Sequence, residues 1–96
     1  MRVVVKKRVH AFYAGKVQGV GFRMTAEDTA NQFGVVGWVK NLRDGRVEVL
    51  AEAEEAVLKR FLDALRTGSM HNFIQHVEVS WSAASDTFSE FEIRYY

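Results

Sequence analysis

VVGWVKNLRDGRVEVLAE, residues 35–52, decides the fold. Two β-type runs, VVGWVKN (35–41) and RVEVLAE (46–52), flank the tetrapeptide LRDG (42–45). Asp44-Gly45 is a turn signal, because both residue types tolerate the backbone angles that a tight hairpin turn demands. The stretch therefore predicts a β-hairpin. Upstream, KRVHAFY (7–13) alternates, with Val9, Ala11 and Tyr13 on one face and Arg8, His10 and Phe12 on the other. That period predicts a strand. After residue 21 the period changes. Phe22, Ala26, Ala30 and Phe33 fall at helical spacing, and Gly34 follows as a stop signal, which predicts a helix over residues 23–33. Downstream of the hairpin, EEAVLKRFLDALRTG (54–68) carries the apolar stripe Val57, Leu58, Phe61, Leu62 and Leu65. Glu54 and Glu55 in its first turn and Arg66 in its last suit the helix dipole. IQHVEVSWS (74–82) alternates again, with Val77, Val79 and Trp81 on one side, and FEIRYY (91–96) supplies a closing strand.

The order is β-α-β-β-α-β plus a short C-terminal strand. Two strand-helix-strand units around a hairpin make a ferredoxin-like α+β sandwich: an antiparallel sheet with two helices on one face. At 96 residues, with a hairpin directly after the first helix, there is no room for a doubly wound parallel sheet. The chain is read as one domain, residues 1–96.

Composition excludes several function classes. The formal net charge of +1 lacks the basic excess of a nucleic-acid binder. There is no cysteine, hence no disulfide, no thiolate nucleophile and no thiolate metal site. His10, His71 and His76 show no metal-ligand spacing. No apolar run approaches a membrane span, and the N-terminus does not read as a signal peptide. These absences set a cytoplasmic expectation, with no membrane or nucleic-acid partner.

One segment stands out. GKVQGVGFR, residues 15–23, joins the first strand to the first helix and ends in an arginine. The first N–H groups of a helix have no partner within it, and the dipole there is positive. Glycines let successive amides turn toward a ligand without a Cβ in the way, and such amides form an anion nest. Arg23 adds a planar, permanently charged fork that matches two phosphate oxygens. A phosphate-sized anion is the natural occupant. The segment is not a Walker loop, since Val17 stands where Ser or Thr would hold magnesium. Nor is it a dinucleotide fingerprint, since Met24 replaces the third glycine. Composition alone also permits a plain connector, a solvated Arg23 and a hairpin Asn41.

The combination of residues resembles the acylphosphatase family. Its first pattern is met by Gly15, Val17, Gln18, Gly19, Val20, Phe22 and Arg23, and its second, Gly-x-Val-x-Asn, by Gly37, Val39 and Asn41. DGRVEVLAE (44–52) is similar to the family's third strand. The resemblance implies hydrolysis of acyl phosphates to a carboxylate and inorganic phosphate, without metal or organic cofactor. It implies that Arg23 binds phosphate and that Asn41 positions the attacking water. The backbone amides of Gln18, Gly19, Val20, Gly21, Phe22 and Arg23 would cradle the phosphoryl oxygens. The length, the initial methionine and the end in the last strand suggest the stand-alone form, and a monomer is expected. The alternatives from other classes are a non-catalytic phosphate or phospho-ligand module on the same fold, and an RNA-binding ferredoxin-like domain. The latter lacks its aromatic-rich third strand, since that position reads RVEVLAE. Lys6, Lys7 and Arg8 are read as a solvated strand end, and Trp38 and Trp81 as packing residues. Neither motif marks a group that would recognise the acyl part.

Overall fold

Alternation along the first strand organises the sheet. The computed structural model describes residues 4–95; Tyr96, quoted with the final strand, lies outside them. In β1, Lys6–Gly15, the side chains of Val9, Ala11 and Tyr13 are buried and those between them are half-buried. β1 is an interior strand of the sheet. It pairs antiparallel with β3, Val47–Glu54, on one side and with β4, Ile74–Ala83, on the other. β2, Val36–Asn41, forms the hairpin with β3, so that Asn41 sits opposite Val47. The last strand, β5, covers Phe91–Arg94 and completes the order β4-β1-β3-β2-β5.

The first four strands are antiparallel, as the sequence predicts. β5 instead pairs parallel to β2, which makes the sheet mixed. The reason is directional. β4 runs opposite to β1 and lies at the far edge from β5. The chain leaves β4, crosses one end of the sheet and re-enters at that same end. It must then run opposite to β4, which is the direction of β2. The N–H of Gly37 donates to the carbonyl of Glu90 and fastens this crossing to the start of β2.

The same directions determine where a site can form. β1, β2 and β5 all run toward one end of the sheet. Gly15, Asn41 and Arg94, the last residues of these strands, therefore meet there. α1, Phe22–Phe33, begins at that end, and α2, Glu55–Thr67, begins at the other. α1 lays Phe22, Ala26 and Ala30 on the sheet, and α2 lays Leu58, Phe61 and Leu65 beside them. The two alanines let α1 approach closely, while Phe22 packs its ring against Tyr13 at 4.9 Å between centroids. Burying a side chain of that size stabilises by roughly 1.5–3 kcal/mol. A single 3₁₀ turn, His71–Phe73, precedes β4.

Gly37 is the tightest point of the sheet. Its φ is +138°, and a Cβ there would stand 1.9 Å from the carbonyl oxygen of Leu50. No side chain fits, so this glycine of the second motif serves the backbone rather than a ligand.

Among the described residues, no helix covers the other face of the sheet. Long cationic side chains close it instead: the guanidinium of Arg46 lies 4.8 Å from the Phe12 ring centre, and Lys40 and Arg94 lie 5.2 Å from that of Trp38. Two expectations change here. Trp81 is not a packing residue. It sits 42% exposed on the edge strand β4. Arg8 is not a solvated strand end, because its Nε donates to Glu52 at 2.8 Å. Glu52, 1% exposed, also accepts from the backbone N–H of Ser85 and Asp86 and from the Ser85 hydroxyl. Burial alone would raise its pKa. The donors of Ser85, Arg8 and Asp86 outweigh that and hold it below the ordinary value. The segment between β4 and β5, which the sequence leaves without pattern, is therefore anchored on a buried carboxylate.

Candidate active site

The loop between β1 and α1 is pinned at three points. Val17 and Phe22 insert into the core on either side of the glycines. The Lys16 N–H donates to the carbonyl of Phe73 at 3.0 Å. Gln18 donates its side-chain amide to the carbonyls of Leu42 and Arg46, at 2.7 and 2.9 Å. Between these anchors Gly19 and Gly21 adopt φ of +76° and +84°, with nothing within 4 Å of where a Cβ would be. Their identity reflects the turn of the backbone and the open space above it.

This arrangement leaves donors unused. Gly21 caps α1, so Phe22, Arg23 and Met24 occupy its first turn. Among the described residues, the N–H groups of Gln18 to Arg23 donate to no protein acceptor. Beside this loop lies a cleft of about 190 Å³, lined by Val17, Gly19, Gly21, Phe22, Arg23 and Met24 from the loop and helix. Asn41 lines it from the end of β2, and Ile93 and Tyr95 from the end of β5.

Arg23 and Asn41 are thus brought together, as the resemblance implies. Neither side chain hydrogen-bonds to another described residue. The guanidinium of Arg23 instead lies 4.9 Å from the ring centre of Tyr95. A ring face holds a cation without using up its N–H donors. No acidic side chain is among the described residues that line the cleft, and Arg23 and the helix N-terminus contribute positive potential there. No histidine lines it either, and no group that could act as a protein base at neutral pH is present among the lining residues. Among the described residues there is no cluster of three or more His, Cys, Asp or Glu able to hold a metal ion. A larger hollow, about 300 Å³ between α2 and β4, shares no residue with this cleft and contains none of the motif residues.

Sequence reasoning placed Gln18 in the loop through its amide N–H, and the structure adds a strut made by its side chain. Tyr95 and Ile93 were missed. Their signal is weak, because only the parallel return of β5 beside β2 carries them to the site.

Comparison with known proteins bears on the family and the fold. The sequence profile of the family described as Acylphosphatase matches residues 9–93. An acylphosphatase of Salinibacter ruber is 38% identical over 94 residues, 98% of this chain and 99% of its own. One of Dehalococcoides mccartyi is 43% identical over 86 residues, 88% of this chain and 94% of its own. The crystal structure of acylphosphatase from Bacillus subtilis superposes with a TM-score of 0.86 at 37% identity, covering 93% of this chain and 99% of that one.

Proposed function

The chain belongs to the acylphosphatase family and hydrolyses acyl phosphates, and on that premise we propose that Arg23, Asn41 and the amides of Gln18 to Arg23 carry the reaction. One observation supports this most directly. The unused guanidinium of Arg23 and the unused carboxamide of Asn41 line one small cleft beside a loop whose N–H groups have no protein acceptor among the described residues, and no acidic side chain is among the described residues that line it.

The chemistry fits these groups. Phosphoryl transfer needs positioning and stabilisation of charge on the equatorial oxygens more than covalent participation. The amides of Gln18, Gly19, Val20, Gly21, Phe22 and Arg23, with the Arg23 fork, supply that stabilisation. The leaving group is a carboxylate, whose conjugate acid has a pKa near about 4. It departs without a proton, so no general acid is required. Asn41 orients a water opposite the leaving oxygen through its amide, which accepts and donates but does not take up a proton at neutral pH. The water's proton passes to a phosphoryl oxygen of the substrate as the new P–O bond forms and the bond to the acyl oxygen breaks.

The proposal extends to a metal-independent reaction by a monomeric cytoplasmic protein with residues 1–96 acting as one domain. The single core shared by both helices and the sheet supports the last point. No helix among the described residues is long and apolar enough to cross a membrane. The test is hydrolysis of an aryl acyl phosphate in excess chelator by the native chain and by Asn41→Ala. Native turnover is expected to survive the chelator. The variant should lose about 10²–10³ in kcat while still binding inorganic phosphate. Full activity in Asn41→Ala would remove the residue from the mechanism. Phosphate binding without turnover in the native chain would leave an anion-binding module.

A further inference from the structure

The acyl end of the substrate has no assigned partner, and the cleft mouth offers one. This inference rests on the assignment of Arg23 and the loop amides to the phosphoryl group. With that group seated on the loop and the water held by Asn41, in-line displacement sends the acyl oxygen away from the water and out of the cleft. The lining groups not engaged by phosphate or water are then Val17, which is buried in the core, and Met24, Ile93 and Tyr95.

Two of these are unusual. Met24 is 64% exposed and Tyr95 74% exposed. Both large side chains stand open at the rim of one small cleft. The Arg23 guanidinium lies over the Tyr95 ring, and Tyr95 still stays largely exposed. Met24, next in sequence to Arg23, presents a flexible thioether suited to flat apolar surfaces. The cleft has no second cation, so an acyl group bearing its own phosphate or carboxylate finds no counter-charge among the lining residues.

We propose that Met24 and Tyr95 form an acyl-binding lip that selects apolar, above all aromatic, acyl phosphates over small or anionic ones. The phenyl ring of such a substrate lies against Tyr95 and the Met24 thioether, while the guanidinium on Tyr95 reaches the phosphoryl group. Tyr95 then serves both halves of the substrate.

The experiment measures kcat/KM for benzoyl phosphate and acetyl phosphate. Benzoate is the weaker base and the better leaving group, so the native ratio includes a leaving-group contribution, and the change of the ratio between variants reports contacts to the acyl group. An apolar pocket distinguishes substrates by about 10-fold or more per group buried. The native ratio is expected to be at least about tenfold in favour of benzoyl phosphate. Met24→Ala and Tyr95→Ala should each lower that ratio at least about threefold, and mainly through KM for benzoyl phosphate, whereas Tyr95→Phe keeps it. Both side chains are exposed, so the variants retain the fold, and circular dichroism checks it. A native ratio near one, or a native-like ratio in the double alanine variant, overturns the lip. Asn41→Ala, run in parallel, should lose both substrates alike. If it keeps both, the water assignment fails while the ratio still decides the lip.

Discussion

Gln18 holds Leu42: the side-chain amide of the one donates at 2.7 Å to the main-chain carbonyl of the other. The same nitrogen reaches the carbonyl of Arg46 at 2.9 Å. Leu42 follows Asn41, and Gln18 lies in the loop that leads to Arg23. One carboxamide therefore locks the proposed phosphate cradle to the proposed water-binding residue. Gln18→Leu keeps the bulk and removes both bonds, leaving two part-buried carbonyls without that donor. Each carbonyl keeps a backbone donor, the Gly45 N–H for Leu42 and the Leu42 N–H for Arg46, so stability should fall only by the worth of two hydrogen bonds, about 0.5–1.5 kcal/mol each. A displacement of about 1 Å between reacting groups can cost a hundredfold in rate, so kcat should drop at least about tenfold. Urea unfolding and steady-state kinetics read the two effects. A variant less stable yet with native kcat would mean that the strut serves folding alone.

Arg23 carries the second prediction. Its guanidinium is free of ion pairs among the described residues and rests on Tyr95. Arg23→Lys preserves the charge and loses the fork. A point charge cannot meet two phosphate oxygens in one plane. The loss in kcat/KM should be at least about a hundredfold, comparable to removing a preorganised transition-state donor. Weaker competitive inhibition by inorganic phosphate should accompany it. Native inhibition in Arg23→Lys would show that charge suffices.

The fold was legible because its signals are local. The Asp44-Gly45 turn, the four- and three-residue spacings of Phe22, Ala26, Ala30 and Phe33, and the stripe on α2 each follow from a few adjacent residues. Arg23 and Asn41 were legible because each sits in a motif of fixed spacing. What escaped the sequence depends on tertiary register. Nothing local shows that β5 returns parallel to β2, and so nothing local places Tyr95 beneath Arg23. Glu52 was equally hidden. It occupies the polar side of an alternating strand, and its burial arises only when Ser85 and Asp86 fold over it.

Gly37 gives a purely steric prediction. A methyl group at this position would stand 1.9 Å from the carbonyl oxygen of Leu50, a paired strand atom that cannot yield. The backbone φ of +138° is also one that other residues rarely adopt. Gly37→Ala should separate β2 from β3, cost more than about 4 kcal/mol, and leave little folded protein. Gly19→Ala, with open space around its Cβ position, should stay folded at a cost of about 1–2 kcal/mol. Thermal denaturation of the two side by side decides it. Equal destabilisation would contradict the packing argument.

Glu52 makes the protein acid-sensitive in a defined direction. Burial favours its neutral form, but the N–H groups of Ser85 and Asp86, the Ser85 hydroxyl and the Arg8 guanidinium favour the anion more, and its pKa lies below the ordinary 4.5. A carboxyl group with a depressed folded-state pKa binds its proton more readily when unfolded. Its stabilising contribution is therefore complete above the ordinary value and is lost as pH falls through the folded one. Native stability should be level near neutrality and decline below about pH 4.5. Glu52→Gln removes the charge, leaves Arg8 without its anion and weakens the hold on both amides. It should cost about 3 kcal/mol at pH 7, within the range for breaking a buried pair. In strong acid the native carboxyl is itself neutral, so the two proteins should converge. Urea midpoints measured from pH 7 to pH 2.5 test this. Curves that stay parallel over that range would show that Glu52 does not titrate with unfolding, and that the acid sensitivity lies elsewhere.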